Sequence, residues 1–141
     1  MKIAIRMVEF DDYEQEIKEA KERLLPEGAL YDSWWWGAFF KKGRSLGDPV
    51  GFGGMCSSHS FRNVAYLSFC AVEPEFRGLA IQRRLIRART RYAKRMGYEF
   101  VVTDTCMNPA SANNLIACGF RMYTPQNPWG LYRSVYWKKE L

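Results

Sequence analysis

The sequence has little histidine, no paired cysteines and no long hydrophobic run. Among its 141 residues there is one histidine, His59, and the four cysteines are scattered without a Cys-x-x-Cys pair. Metal sites need such ligands at short, regular spacings, so we expect no metal site here. No stretch is apolar for long enough to span a bilayer, and the first residues do not form an apolar leader. We therefore expect a cytoplasmic protein with reduced thiols and no membrane segment.

The chain also lacks internal repeats, low-complexity tracts and a recognisable linker. Its length suits one domain, and a content of 48% hydrophobic and 26% charged residues is that of an ordinary globular protein. We expect a single domain over residues 1–141. The formal net charge of +6 indicates an anionic partner at some surface, which a small cofactor, a nucleic acid or an acidic protein would each satisfy.

Hydrophobic periodicity predicts an alternation of strands and helices. The strand 64–72, VAYLSFCAV, is almost wholly apolar, as expected for a strand buried on both faces in the middle of a sheet. A strand, a helix and a strand follow each other from 64 to 105, which predicts a right-handed crossover between parallel strands. The fold class is mixed α/β. The predicted helices cover 10–25, 78–96 and 109–118, and the predicted strands cover 2–8, 32–40, 50–57, 64–72, 98–105 and 133–141.

The turn between the apolar strand and the long helix, EPEFRGLAIQRR (73–84), has the features of an anion site. The first N–H groups of a helix lack intrahelical acceptors and suit a phosphate group. Gly78 lets the backbone approach a ligand, and the small Ala80 keeps the next turn open. Helix starts normally carry acidic residues, whereas this one has Arg77 and two further arginines. A bound anion would resolve that conflict.

The basic residues farther along this helix support a second hypothesis, a basic nucleic-acid-binding module with a vestigial cofactor site. Exposed aromatic residues, including those of WWWG (34–37), would then stack on bases. Strand alternation places Trp34 and Trp36 on one face and Trp35 on the other, so core packing is the default interpretation for this set. Solvation is the expected role of the helical residues Arg87, Arg89, Arg91, Lys94 and Arg95.

Two segments carry a family resemblance. AVEPEFRGLA (71–80) resembles motif A of the GNAT superfamily of acyl-CoA N-acyltransferases, in which Q/R-x-x-G-x-G/A follows a strand ending in V-x-P. Glu75 stands where that family usually has Gln or Arg. NPASANNLIACGF (108–120) is similar to the family's N-x-x-A/S segment ending in G-F, and the order of predicted elements resembles the fold from end to end. The positions that match in the two segments are Arg77, Gly78, Leu79, Ala80, Asn108, Ser111, Gly119 and Phe120.

The resemblance implies a fold, a cofactor and a reaction. The fold would have a central mixed, mostly antiparallel sheet with a parallel pair at the cofactor cleft, flanked by about four helices. Acetyl-CoA would bind with its pyrophosphate on the motif A turn and its pantetheine arm along the edge of the preceding strand. The reaction would be acetyl transfer to a primary amine by direct attack in a ternary complex. The cofactor-binding residues implied are Cys70, Val72, Arg77, Gly78, Leu79, Ala80, Ile81, Gln82, Asn108 and Ser111.

The attacking amine must lose a proton to a base or to a water chain. Asp104, on the strand that lines the expected acceptor cleft, is the first candidate, followed by Glu73 and His59. Each of the three also has a structural interpretation. Asp104 would organise the turn before Asn108, Glu73 would be a surface residue, and a lone histidine is more often structural.

The leaving thiolate needs a proton back, which many members of the family supply from a tyrosine on the short helix. Here that position is Leu115, so the usual acid is missing. Tyr123, Tyr132 or Tyr136 would replace it, with Tyr136 the one retained as a candidate, or the thiolate would leave unaided.

The acceptor itself is left open by the sequence. Trp129, in the proline-rich loop TPQNPWG, would either wall the acceptor site or anchor the loop. The last strand, 133–141, is aromatic, and as an exposed edge it would allow a homodimer.

Overall fold

The computed structural model describes residues 2–31 and 33–141, so Asp32, the first residue of the predicted strand 32–40, lies outside the described residues. Within them no helix combines the length and apolar character needed to cross a bilayer. The elements in chain order are β1 Ile3–Val8, α1 Phe10–Leu24, β2 Trp34–Lys42, β3 Ser45–Ser57, β4 Val64–Val72, a 3₁₀ turn Pro74–Phe76, α2 Ile81–Arg95, β5 Phe100–Cys106, α3 Pro109–Ala117, β6 Arg121–Tyr123 and β7 Ser134–Glu140.

All seven strands of the described chain form one sheet, in the order β1-β2-β3-β4-β5-β7-β6. Every neighbouring pair is antiparallel except β4 and β5, which are parallel. The crossover helix between these two strands is α2, as the strand–helix–strand order predicts. The mixed sheet, its parallel pair and the helical segments, three α-helices and one 3₁₀ turn, confirm the expected fold class.

The hydrophobic core lies on both faces of the sheet. On one face, residues of α2 and α3 such as Leu85 and Leu115 pack on the strands, and on the other face Ile17 of α1 packs on Trp35. Trp36 joins the α2 side, so the three consecutive tryptophans alternate between faces. Trp35 and Trp36 are buried, which confirms core packing for both.

Two element boundaries differ from the prediction by three residues or more, and one short strand was not predicted. β3 begins at Ser45 and not at 50, because the turn is completed at Gly43, which has a φ of +59°, and pairing with β2 resumes at once. α2 begins at Ile81 and not at 78, because Gly78 is left-handed. The short strand β6 was not predicted, and it covers the outer edge of β7.

The last strand is therefore not an exposed edge. β7 lies between β5 and β6, and its aromatic residues Tyr136 and Trp137 are buried. The prediction of an exposed aromatic edge is wrong, and the homodimer inferred from it stays a prediction without that support.

A bulge and a divergence in β4 shape the centre of the sheet. Gly54 of β3 pairs with Phe69 and the next residue, Met55, pairs with Leu67, so Ser68 is the extra residue of a β-bulge. β4 and β5 pair only from Val64–Phe100 to Tyr66–Val102 and then separate. The separation opens a cleft beyond Tyr66, bordered by the free edge of β4.

Candidate active site

The turn before α2 presents unused backbone donors to this cleft. Gly78 has a φ of +83° and Ala80 a φ of +59°, which turns the chain sharply into the helix at Ile81. The first hydrogen bond of α2 runs from the Arg84 N–H to the Ala80 carbonyl, at 3.1 Å, so the N–H groups before Arg84 have no acceptor within the helix. A Cβ at Gly78 would meet no atom within 4 Å, so that backbone faces open space. N–H groups exposed in this way at a helix start suit a phosphate.

The free edge of β4 forms the second wall. Glu73 donates its backbone N–H to the Val50 carbonyl of β3, at 2.8 Å. Because successive residues of a strand direct their backbone groups to opposite sides, Cys70 and Val72 direct theirs away from β3, toward the cleft. An extended ligand arm lying in the cleft would meet these groups as it would meet a neighbouring strand.

Side chains of α2 and α3 form the third wall. The Asn108 carboxamide oxygen accepts the Ser111 N–H at 3.1 Å and so caps α3. Gln82 donates to the Ser111 hydroxyl at 3.0 Å, and Arg83 donates to the Asn114 side-chain oxygen at 2.8 Å. Asn114 also donates to Gln82. From the sequence Asn114 is only a weaker candidate for a cofactor contact, since an asparagine in a short helix carries no signal of the partner that it meets on another helix.

The structure brings nine of the ten proposed cofactor residues to one cavity of about 430 Å³. Leu79 is the exception, because its side chain is 47% exposed and does not line the cavity. This cavity shares several lining residues with a second one of about 540 Å³, so the two form one continuous cleft. The shared residues are Leu24, Leu25, Cys70, Gln82, Asn108 and Ser111.

Arg89 lies beneath this cleft, and the expectation that it is a solvated surface residue is wrong. It is 1% exposed, and its guanidinium donates to the carbonyls of Leu85, Gly54 and Phe69 at 3.0, 3.0 and 2.9 Å. The last two carbonyls belong to the strands at the β4 bulge. A Cβ at Gly53 would lie 3.0 Å from the Arg89 Nε, so the glycine leaves the space that this side chain occupies.

Two other arginines at the start of α2 also have partners within the fold. Arg84 donates to the Ile3 carbonyl at 2.8 Å, in addition to the bond between Arg83 and Asn114. Part of the arginine face that suggested a nucleic-acid surface thus holds the helix against α3 and β1.

The far end of the cleft holds Asp104 of β5. Tyr66, on β4, donates its hydroxyl to the Asp104 Oδ1 at 3.0 Å. A Cβ at Gly130 would lie 2.8 Å from the Asp104 Oδ2, so the loop after β6 packs directly on this carboxylate. Burial and the neighbouring Asp104 charge raise the pKa of Tyr66 well above its usual range, so the hydroxyl keeps its proton. Tyr66 was missed in the sequence, although it is the one aromatic hydroxyl in an apolar strand.

The other two candidate bases lie elsewhere. Glu73 does not line the cavity that contains Asp104; it accepts hydrogen bonds from Arg23 of α1, with an Nη1–Oε2 distance of 3.0 Å. The hydrogen bond to Arg23 holds the pKa of Glu73 below its usual range. His59 is exposed, and its ring lies 6.1 Å from that of Tyr31. Of the three, Asp104 alone lines the cleft.

The three tyrosines proposed as acids all lie outside the cleft lining. Tyr136 is buried behind the cleft, with its hydroxyl accepting the Gly130 N–H at 2.9 Å. Burial raises the pKa of Tyr123 to about 12, and Tyr132 is 88% exposed. None of the three lines either part of the cleft, whereas the apolar Leu115 does.

Comparison with known proteins identifies the class to which this fold and cleft belong. The family model of the acetyltransferase (GNAT) family matches residues 6–120, most of the chain. The protein therefore belongs to the GNAT acetyltransferase family.

Groups of three or more potential metal ligands do not occur among residues 2–31 and 33–141. No curated protein matches the chain.

Solved structures share the fold at low sequence identity. A chain of the NatC complex bound to Gag peptide and CoA has a TM-score of 0.81 and 18% identity, covering 100% of this chain and 99% of that one. A Bacillus anthracis protein assigned as a streptothricin acetyltransferase, in complex with acetyl coenzyme A, has a TM-score of 0.75 and 18% identity, covering 100% and 99%. A Salmonella typhimurium protein with acetyl-CoA as its cofactor has a TM-score of 0.76 and 16% identity, covering 99% and 94%. These comparisons lend no support to the nucleic-acid hypothesis.

Proposed function

We propose that the protein transfers the acetyl group of acetyl-CoA to a primary amine by direct attack in a ternary complex. The observation that carries the proposal is the continuity of the cleft. One end is lined by the backbone donors before α2, and the other by Asp104. The similar structures solved with acetyl-CoA support the choice of donor.

The residues before α2 fit the phosphate part of the donor. Gly78 leaves room for a phosphate group, and the helix N-terminus and Arg77 supply positive charge. Cys70 and Val72 would hold the pantetheine arm through their backbone groups, with Gln82, Asn108 and Ser111 on the other wall. The donor supplies the thioester carbonyl that the amine attacks.

The residues at the far end of the cleft would remove the proton from the acceptor amine. A lysine-like amine has a pKa of about 10.4 in solution and arrives protonated. Asp104, directly or through water, would accept the proton, and Tyr66 would hold the carboxylate in place. The bond between nitrogen and the acetyl carbon forms, the carbon–sulfur bond breaks, and coenzyme A leaves as a thiolate. The acetylated nitrogen loses its remaining excess proton to water, and the thiolate takes a proton from water. A backbone N–H on the free edge of β4 would stabilise the oxyanion.

Release of free coenzyme A thiol in the presence of candidate amines tests this function, with mass spectrometry of the products. We expect a mass increase of one acetyl group on a nitrogen of the acceptor. Thiol release without an acetylated amine, under all acceptors, would contradict the proposal and indicate a thioesterase.

A cytoplasmic location remains a prediction. Its support is the presence of four cysteines whose thiols are all free in the structure.

A further inference from the structure

Three aromatic rings and one carboxylate surround the far end of the cleft. Tyr31, Tyr66 and Trp129 line the cavity together with Asp104, and we call this group the aromatic pocket. The Tyr66 ring lies edge-on to Tyr31, at 6.1 Å and 72°, and to Trp129, at 6.3 Å and 83°. The three rings and the carboxylate therefore border the same space.

Trp129 is held in this position from behind. Its ring packs against Tyr136 at 4.6 Å and against Tyr123 at 6.3 Å. The Gly130 N–H donates to the Tyr136 hydroxyl, which fixes the backbone next to Trp129. Trp129 is 44% exposed, yet its ring packs on three tyrosines. These contacts fix its position at the mouth of the cleft.

The charge of this end is negative. Of the charged residues that line the larger cavity, Glu27 and Asp104 are acidic, and the basic one, Arg89, directs its hydrogen bonds to main-chain carbonyls under the cleft. The Tyr66 hydroxyl is already used in donating to Asp104. An anionic group brought here would therefore meet carboxylates and aromatic faces, without a basic side chain of the lining to pair with it.

We propose that the aromatic pocket selects primary amines whose near neighbours are uncharged or cationic, and rejects amines that carry a carboxylate or phosphate beside the amine. The inference rests on the proposed function and adds a substrate class to it. An ammonium group is attracted to aromatic faces and to the Asp104 carboxylate, whereas an adjacent carboxylate would cancel that attraction. The amine thus arrives next to the group that takes its proton.

Matched pairs of acceptors test this inference. Tyramine and tyrosine, and agmatine and arginine, differ only by the carboxylate beside their one primary amine. We expect kcat/KM from thiol release to be at least about tenfold higher for the decarboxylated member, the equivalent of 1.4 kcal/mol. Equal or better use of the amino acids, or no use of any decarboxylated amine, overturns the inference.

Variants of one loop supply the matched control. Trp129→Leu keeps an apolar side chain but removes the ring, and we expect it to raise KM for the amines several-fold while the stabilisation by acetyl-CoA is unchanged. Tyr132→Leu alters an 88% exposed ring of the same loop that does not line the cavity, and should leave KM unchanged. Equal effects of the two variants overturn the inference.

The two proposals fail in different ways. If acetyl-CoA does not raise the melting temperature of the wild-type protein, the proposed function falls and the selectivity falls with it. If acetyl-CoA stabilises the protein and amines are acetylated without regard to the carboxylate, only the selectivity is wrong.

Discussion

The two ends of the cleft are built by different means. At the end proposed for the cofactor, the groups that face the cavity include backbone atoms placed by residues close together in sequence, such as Gly78, Ala80 and Ile81. At the end proposed for the acceptor, they are side chains from distant segments, Tyr31, Tyr66, Asp104 and Trp129. A backbone site depends on local conformation, whereas a side-chain site depends on the whole sheet.

Asp104→Asn should have the largest effect, because it should lower catalysis at one end of the cleft and leave acetyl-CoA binding at the other end unchanged. The amide cannot take the proton, so we expect kcat to fall by at least about a hundredfold, within the range for loss of a general base. Affinity for acetyl-CoA, measured by thermal shift, should be unchanged. Asp48→Asn, an exposed carboxylate on β3, is the control and should leave both quantities unchanged. A rate for Asp104→Asn close to that of wild type would remove Asp104 from the mechanism.

Arg89→Met tests whether the floor of the cleft depends on one buried cation. The substitution leaves the Gly54 and Phe69 carbonyls without their donor, so we expect a loss of about 2–4 kcal/mol in the free energy of unfolding. Arg91→Met, at an exposed position of the same helix, should change it by less than about 0.5 kcal/mol. Urea denaturation measures both, and equal values for the two variants would contradict the assigned hydrogen bonds.

Gly53→Ala tests the contact between β3 and Arg89 from the β3 side. The added methyl group would lie 3.0 Å from the Arg89 Nε, so we expect a loss of about 1–3 kcal/mol from overpacking. Combined with Arg89→Met the penalty should shrink, because the shorter apolar side chain leaves room. Strict additivity in the double-mutant cycle would show that the two positions do not interact.

Glu73→Gln should affect stability slightly and catalysis not at all. Glu73 is paired with Arg23, which lowers its pKa in the folded protein below the ordinary value of 4.5. A lowered pKa stabilises the fold above pH 4.5, and this contribution is lost as the pH falls through the folded pKa. The melting temperature of the variant should therefore be slightly lower than wild type at pH 7 and equal to it at more acidic pH. A large drop in kcat would return Glu73 to the candidate bases.

Glu75→Gln should have the smallest effect. Glu75 is exposed on the 3₁₀ turn and adds a negative charge two residues before Arg77, beside the phosphate end of the cleft. Removing a solvent-exposed charge is worth less than about 1 kcal/mol, so we expect a gain in acetyl-CoA affinity of about two- to threefold at low salt. A loss of affinity would show that Glu75 contributes a contact to the cofactor.

The difference between the two ends also explains how far the sequence predicts the site. Gly78 and Asn108 were predictable because a left-handed turn and a helix cap are local requirements with local residue preferences. The strand β4 was predictable because residues 64–72 form a continuous apolar run. The parallel pair followed from the strand–helix–strand order, and the mixed sheet was implied by the family resemblance.

Long-range contacts set the rest. Arg89 resembles the exposed Arg87 and Arg91 in sequence, and its buried position is made by Gly53 of β3 and by carbonyls at the β4 bulge. Tyr66 acquires its role from Asp104, 38 residues later, and Trp129 from the tyrosines behind it. β6 is three residues long, too short for a hydrophobic period, so the covering of β7 was not predictable.

The central claim is that acetyl-CoA binds on the turn before α2, and a thermal shift with matched glycine variants tests it most directly. Gly78→Trp fills the space before the helix, while Gly43→Trp places the same side chain at another left-handed glycine in open space, on the β2–β3 turn. We expect millimolar acetyl-CoA to raise the melting temperature of wild type and Gly43→Trp, and to leave that of Gly78→Trp unchanged. An equal shift for all three proteins would contradict the claim.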